Sequence, residues 1–577
     1  MTIKPLTVQG DRTILADVHA EGFNIARDEL SLFAELEKSP EHFHTYRLTP
    51  LSLWNAAAAG VGAERISEFL ETSSAYEIPP NVTIFIEDHI RRFGLLKLVR
   101  AEGSLRLVCT DQDLLDGIAR NSTLKEYFNL KEGGEGWLSV VEHLRGDVKQ
   151  ALIGIGYPVE DVAGYTEGTA MPFELRQNRV FDGSDFSLRA YQKESADIFH
   201  AGGTDRGGSG VVVLPCGAGK TIVGIGCMER LQRQTLILTT NTIAVRQWRD
   251  ELLDKTSLTP EQISEYTGEV KGISPVTIST YQMLTYRRSK EGAFEHFALF
   301  DALDWGLVIY DEVHLLPAPV FRVTAGIQAR RRLGLTATLV REDGKEEEVF
   351  SLIGPKKYDV PWKILEREGW IATARCIEVR MPKDPETIME YQIAGSRDQF
   401  RIASENPVKT EVVQTLISKH AEDRVLVIGQ YIDQLESLAE CIDCPLITGR
   451  TPNKERQVLY GQFREGTLKV LMVSKVGNFA VDLPDANVAI QISGTFGSRQ
   501  EEAQRLGRIL RPKTDGRQAI FYSLVTRDSR EEDFASNRQL FLTEQGYSYE
   551  IQDISTIKGV DSQTKARPGE STSHLDE

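Results

Sequence analysis

Two groups of residues are of the types that bind and cleave a phosphate chain. The first closes the run VVVLPCGAGKTIVGIG, Val211 to Gly226. Apolar residues ending at Leu214 enter a short loop, Pro215, Cys216, Gly217, Ala218 and Gly219, and Lys220 and Thr221 lead out of it. A buried strand, a glycine loop and a helix opening near Lys220 would gather backbone N–H groups and a positive helix end around one concavity. Lys220 would then stand between the β- and γ-phosphates of ATP, and the Thr221 hydroxyl would ligate Mg²⁺. The full pattern wants glycine six residues before the lysine, where this chain has Leu214 followed by Pro215.

The second group is acidic. In WGLVIYDEVHLL an apolar run leads to Asp311 and Glu312, which fall at the carboxyl end of a buried strand, where ligands of open α/β sheets bind. Asp311 would hold Mg²⁺ through water, and Glu312 would orient and deprotonate the attacking water. A third set lies far along the chain, in GSRQEEAQRLGRILRPK. Spacings of four and three put Gln504, Arg508 and Arg511 on one helical face, where the guanidinium groups could stabilise charge on the transferring phosphoryl group. Together these groups predict ATP hydrolysis coupled to closure of a cleft.

The elements that must position these residues follow from the apolar pattern. From residue 211 onward, short β-branched runs (GVVVLP, TLILTT, PVTIST, WGLVIYDE, RLGLTAT) alternate with helical stretches. Continuous apolar strands spaced by helices predict a parallel sheet covered on both faces. A second series, RVLVIGQ, CPLITG, KVLMVSK, NVAIQIS and QAIFYSLV, predicts a second such unit in tandem. Ahead of both, LSLWNAAAAGVGAERISEFLE reads as helix, and LLKLVRAEGSLRLVCTD as a hairpin turning at Gly103. The fold class expected is therefore α/β, with an α+β N-terminal region.

With 577 residues, 41% hydrophobic and 26% charged, the chain can bury several cores. No apolar run is long enough to span a bilayer, and the start lacks the pattern of a signal peptide, so a cytoplasmic location is expected and a membrane partner is not. The six cysteines are scattered, and the single CxxC, Cys441 and Cys444, has no second pair to complete a zinc set, so reduced thiols are expected. The net charge of −17 excludes a general basic field for nucleic acid. Any such contact must be a local groove.

LPCGAGKT, DEVH, LTATL (Leu335 to Leu339) and QRLGRILRP resemble motifs I, II, III and VI of superfamily-two helicases, in the family's order and spacing. LRAYQ, Leu188 to Gln192, resembles the adenine-reading element, which assigns Arg189 and Gln192 to the nucleotide. ISTYQML resembles the DNA-contacting motif Ib and assigns Thr280 and Tyr281 to DNA. LTATL adds Thr336 and Thr338 as coupling residues, and VSKVGNFAVDLP resembles motif V, adding Lys475 for DNA and Asp482 for nucleotide. The likeness narrows to the XPB helicase family through LPCGAGKT, SKVGNFAVDLP and TATLVREDGK, the last carrying Arg341, Glu342 and Asp343, which correspond to that family's RED motif. TYRLTPLSLWNAAAAG resembles the family's N-terminal region.

The resemblance implies two tandem RecA-like parallel-sheet motor domains. Residues 1–100 would be an accessory domain, 101–180 a damage-recognition-like domain and 181–372 the first motor. Residues 373–420 would be a linker carrying a thumb-like insertion at about 384–407, 421–556 the second motor, and 557–577 a polar, disordered tail. It further implies ATP and Mg²⁺ as cofactors, opening of forked or partly single-stranded DNA in the 3′ to 5′ direction, a repair nuclease as partner and a free-standing prokaryotic enzyme. In the thumb, Phe400 and Tyr391 could stack on bases, with packing as the alternative job for at least one. Three other readings stay open: a duplex translocase that separates no strands, an RNA-remodelling ATPase, and an ATP-dependent interaction switch.

Overall fold

The computed structural model describes residues 4–38, 42–204, 207–214, 218–288, 294–327, 330–337, 346–359, 365, 374–474, 486–493, 519–544 and 548–557. The chain divides into two compact units, 1–368 and 369–577.

The first unit opens with four antiparallel strands, β1 (Leu6–Val8), β2 (Thr13–Asp17), β3 (Glu35–Lys38) and β4 (Phe43–Arg47), in the order β1-β2-β4-β3. The stretch read as one helical pattern forms two helices, Pro50–Ala58 and Ala63–Ser73. Gly60 at φ 83° ends the first, a conformation that favours glycine. Thr49 begins it through a reciprocal cap with Ser52, each side chain accepting from the other's backbone N–H at 3.0 to 3.1 Å. Leu53, Ile66 and Leu70 of these helices, with Val82 and Ile86 of a third helix, Pro80–Arg92, are buried in one core with the sheet.

A second, five-stranded sheet follows: β5 (Leu96–Ala101), β6 (Ser104–Cys109), β7 (Phe128–Gly134), β8 (Trp137–Val140) and β9 (Val159–Asp161), ordered β7-β8-β6-β5-β9. β5 and β6 are the hairpin expected about Gly103, which sits at φ 78°. An ion cluster joins this sheet to the next. Asp161 accepts from Arg145 Nη2 at 2.6 Å and Lys149 Nζ at 3.0 Å, and the guanidinium carbons of Arg145 and Arg332 both lie 5.7 Å from the Tyr165 ring centre. Burial alone would raise the Asp161 carboxyl, but Lys149 and Arg145 outweigh it and hold the group well below the usual carboxylate range.

The third sheet of the unit has seven strands, all parallel: β10 (Ser209–Val213), β11 (Thr235–Thr239), β12 (Ile263–Tyr266), β13 (Val276–Thr280), β14 (Leu307–Asp311), β15 (Arg331–Thr336) and β16 (Lys356–Asp359). Their order is β12-β13-β11-β14-β15-β10-β16. All five apolar runs expected as strands are present. β12 and β16, which the pattern did not single out, are the two edges, where half-polar sequences such as KKYD suffice.

The second unit holds another seven-stranded parallel sheet: β17 (Ala374–Met381), β18 (Val425–Gly429), β19 (Leu446–Ile447), β20 (Val470–Ser474), β21 (Val488–Gln491), β22 (Ala519–Thr526) and β23 (Ser548–Asp553), ordered β19-β20-β18-β21-β22-β17-β23. β17 corrects the expected linker, for residues 374–381 pair along their whole length with β22. Its sequence ARCIEVRM hides this because charged residues alternate with Cys376, Ile377 and Val379. The buried Glu378 is made tolerable by Arg380 Nε at 2.6 Å and by the Tyr549 hydroxyl.

The thumb-like stretch forms two helices, Ile388–Ile393 and Ser396–Ser404. Phe400 is buried edge-to-face on Phe534, with ring centres 5.0 Å apart, so it packs and does not offer its face to a base. The Tyr391 hydroxyl accepts from the Arg530 backbone N–H at 3.0 Å, and Lys383 Nζ lies 4.4 Å from its ring centre. Lys409 anchors the base of this region, donating to both oxygens of Glu531 at 2.8 and 2.9 Å and to the Ile492 carbonyl at 2.8 Å. Glu531 also accepts from the Ser404 hydroxyl at 3.1 Å. The tail, 558–577, lies outside the described residues.

Candidate functional site

The order of the first parallel sheet decides the site. β15 is inserted between β10 and β14, and the carboxyl ends of all three face the same side because the strands run parallel. The segment after β10 enters the helix Lys220–Leu231 through Gly219, at φ 81°. A Cβ on Gly219 would stand 2.7 Å from Gln192 Nε2, the movable end of a side chain, so it is the backbone angle that calls for glycine.

Lys220 is the first residue of that helix, as its sequence predicted, and its side chain is largely covered. Its Nζ contacts Oε1 of Glu312, from the far side of β15. Glu312 follows the last residue of β14 and adopts the left-handed conformation, φ 53° and ψ 53°. A non-glycine residue there costs about 1 to 3 kcal/mol, a strain that clusters at functional sites. Here the turn aims the carboxylate back toward Lys220.

Asp311 is the last residue of β14. Enclosure at the sheet end, reinforced by the neighbouring Glu312, pushes its carboxyl up to about 6, against the opposing pull of Lys220. Trp248, on the helix Thr242–Lys255, donates its indole N–H to Asp311 Oδ2 at 2.9 Å.

A polar relay links the carboxylates to the end of β15. His314 Nδ1 lies 3.7 Å from Glu312 Oε2 and 2.6 Å from the Thr336 hydroxyl. The Leu214 N–H donates to the Thr336 carbonyl at 2.9 Å, so the end of β10 is tied to the same residue. Leu214 contributes backbone here, since its side chain is buried in the core.

The element around residue 190 closes the other side. The Arg189 N–H donates to Gln192 Oε1 at 3.0 Å, and the Tyr191 hydroxyl and Gln192 Nε2 both donate to the Ala218 carbonyl, at 2.7 and 3.1 Å. Arg189, Gln192, Ala218, Gly219, Lys220, Thr221, Asp311 and Glu312 therefore come together.

Thr280 and Tyr281, expected to contact DNA, are both buried. The Thr280 hydroxyl accepts from the Met283 N–H at 3.1 Å and caps a short helix, while Tyr281 donates its hydroxyl to the Asp311 carbonyl at 2.9 Å. Side chains committed to the core cannot also meet a polynucleotide. Pro215, Cys216, Gly217, Thr338, Arg341, Glu342, Asp343, Lys475, Asp482, Gln504, Arg508 and Arg511 lie outside the described residues.

Three residues of the site escaped the sequence reading: Trp248, His314 and Tyr191. His314 stood two places after Glu312, and Tyr191 beside Gln192. Trp248 had only a weak signal, a large aromatic on a helix otherwise rich in charge.

In chemical terms, the site pairs a helix N-terminus and an ammonium group with two carboxylates. Thr221 and Asp311 supply the hard oxygen donors that suit Mg²⁺, which usually takes one or two protein ligands and draws the rest from phosphate and water. Among the described residues no group of three or more His, Cys, Asp or Glu is placed to hold a metal alone. The five described cysteines are free thiols, three of them buried.

Comparison with known proteins adds three family matches. Residues 365–575 match the ERCC3/RAD25/XPB C-terminal helicase family, residues 185–341 the type III restriction enzyme res subunit, and residues 6–130 a helicase conserved C-terminal domain. The last match falls on antiparallel strands and helices, not on either parallel sheet. The chain is 52% identical over 563 residues to the DNA 3′-5′ helicase XPB of Mycobacterium tuberculosis, covering 97% of this chain and 100% of that one. It is 51% identical over 560 residues to the protein of the same name from Kineococcus radiotolerans, covering 97% and 98%. A 34% identity over 565 residues, covering 94% and 92%, links it to the general transcription and DNA repair factor IIH helicase/translocase subunit XPB of Enterocytozoon bieneusi.

Proposed function

Since the chain belongs to the XPB helicase family, we propose that it is an ATP-dependent DNA helicase that opens duplex DNA in the 3′ to 5′ direction during DNA repair. The observation that carries this is the meeting of Lys220 with Glu312 across β15, beside Asp311 and at the start of a helix. That arrangement is fitted to a nucleoside triphosphate: amides and ammonium for phosphate, one carboxylate for metal, one for water. Mg²⁺, when bound, would neutralise the developing phosphate charge. Thr221 and Asp311 would hold it, Lys220 would hold the phosphates, and Glu312 would take a proton from the attacking water. The Thr336–His314 contact would then pass the state of Glu312 to the end of β15.

DNA as partner is supported by the family. A nuclease that cuts the opened strand is a finer part of the same proposal, to be sought by co-purification from the host. A cytoplasmic location is proposed likewise; no described helix is long and apolar enough to cross a membrane.

Similarity to a helicase/translocase subunit and to a restriction-enzyme res subunit favours one second reading, a duplex translocase that separates no strands. ATPase rates with single-stranded DNA, duplex DNA and RNA, followed by strand displacement on forks with either overhang, distinguish the two. Displacement dependent on a 3′ tail supports the helicase. Duplex-stimulated hydrolysis with displacement of a bound third strand, and no unwinding, supports the translocase. Equal rates with and without every polynucleotide would defeat both.

A further inference from the structure

Trp248 reaches Asp311 through a gap that the sequence keeps open. Its helix follows β11, and its ring lies against the helix Lys220–Leu231 at Gly224, where an added Cβ would stand 2.4 Å from the indole Cη2. The indole is buried and donates to Asp311 Oδ2 at 2.9 Å. The main chain of the same aspartate is held separately, its carbonyl accepting from the Tyr281 hydroxyl at 2.9 Å. Two donors from two different crossover segments thus converge on one residue. A carboxylate held by one oxygen loses rotational freedom about its side-chain bonds, and outer partners of this kind orient a metal ligand without touching the metal.

We propose that Trp248 is a positioning residue: its N–H holds Oδ2 of Asp311 so that Oδ1 is presented to the Mg²⁺ of the bound nucleotide. This rests on the ATP-motor reading above. Packing alone does not require the N–H to point at a carboxylate, so removing the N–H while keeping a ring separates the two roles.

Trp248→Phe is the first arm. The expected result is a rise of about 10-fold in the Mg²⁺ concentration for half-maximal ATPase, the scale seen when an outer partner of a metal ligand is removed. High Mg²⁺ should restore the maximal rate, and binding of a fluorescent non-hydrolysable ATP analogue in EDTA should be unchanged. Mn²⁺ binding in the presence of that analogue, read by electron paramagnetic resonance, should weaken by the same factor. Gly224→Ala is the second arm. It leaves the indole chemistry intact but drives a Cβ into the ring, and it should reproduce the metal shift; it decides the question if Trp248→Phe does not fold. Unchanged Mg²⁺ and Mn²⁺ half-saturation in a folded variant overturns the assignment, as does loss of analogue binding in EDTA with no recovery at high Mg²⁺. In either case an unaltered chain that hydrolyses ATP keeps the motor reading, whereas an unaltered chain that binds no ATP removes both.

Discussion

Lys220 Nζ and Glu312 Oε1 are in direct contact, joining residues 92 positions apart in the chain. The ammonium that would grip phosphate and the carboxylate that would activate water hold each other, so a phosphate chain entering the site competes with Glu312 for the lysine. Both side chains are largely covered, which strengthens their attraction relative to an exposed pair.

Glu312→Gln should therefore bind ATP at least as tightly as the unaltered chain while hydrolysing it about 100-fold more slowly or worse, the usual scale for loss of a general base. Lys220→Ala should lose ATP affinity as well as turnover. Fluorescent-nucleotide titration alongside phosphate release measures both, and near-normal hydrolysis in Glu312→Gln would remove that residue from the chemistry.

The His314–Thr336 hydrogen bond is the described link between the carboxylate pair and the end of β15. Thr336→Val keeps the shape and deletes the hydroxyl. Basal ATP hydrolysis should largely survive, while the number of strands displaced per ATP consumed should fall. A variant in which that ratio stays constant would show that the bond is only structural.

Lys409 and Glu531 form a buried pair, and losing one partner leaves an uncompensated charge. Glu531→Gln should destabilise the second unit by about 3 to 5 kcal/mol, whereas the double change to Lys409→Met and Glu531→Leu should recover much of that loss. Hydrogen exchange in the helix Ser396–Ser404 should report the single change first, because Ser404 donates to Glu531. If the single and double variants melt alike, the pair does not brace the thumb.

His44 carries a pH prediction for the N-terminal sheet. Burial, aided by Arg27, lowers the imidazole from 6.5 to about 4, and among the described residues its Nδ1 has no hydrogen-bond partner. Between about pH 6.5 and 4 the unfolded chain binds a proton at this site that the folded chain refuses. Stability should therefore fall as the pH drops through that window, by about 3 kcal/mol at most from this group. Melting of the unaltered chain against His44→Phe at pH 7 and pH 5 tests this. The variant should lose less stability on acidification, and parallel curves would place the acid sensitivity elsewhere.

Much of the molecule was legible in short runs of sequence. Ten apolar runs became strands, because a strand covered on both faces must be continuously apolar whatever its neighbours. β17 and β23 stayed hidden because Glu378 and Glu550 interrupt them, and each carboxylate finds a partner on the neighbouring strand only once the two pair, Glu378 the Tyr549 hydroxyl and Glu550 the Arg375 guanidinium. Tyr281 shows the reverse case. It lies in a stretch associated with nucleic acid, but an aromatic residue looks the same in sequence whether it faces a groove or a core.

The chain's residues alone established two parallel-sheet units, a helix opening at Lys220 and an acidic strand end, because these depend on contiguous patterning and helix-start chemistry. Strand order settled the rest. With β15 between β10 and β14, Lys220 can meet Glu312, the helix after β11 can set Trp248 on Asp311 from 63 residues away, and His314 can meet Thr336. Those meetings depend on how β-αβ crossovers stack a sheet, a long-range outcome of burying every strand on both sides, and no local spacing encodes them.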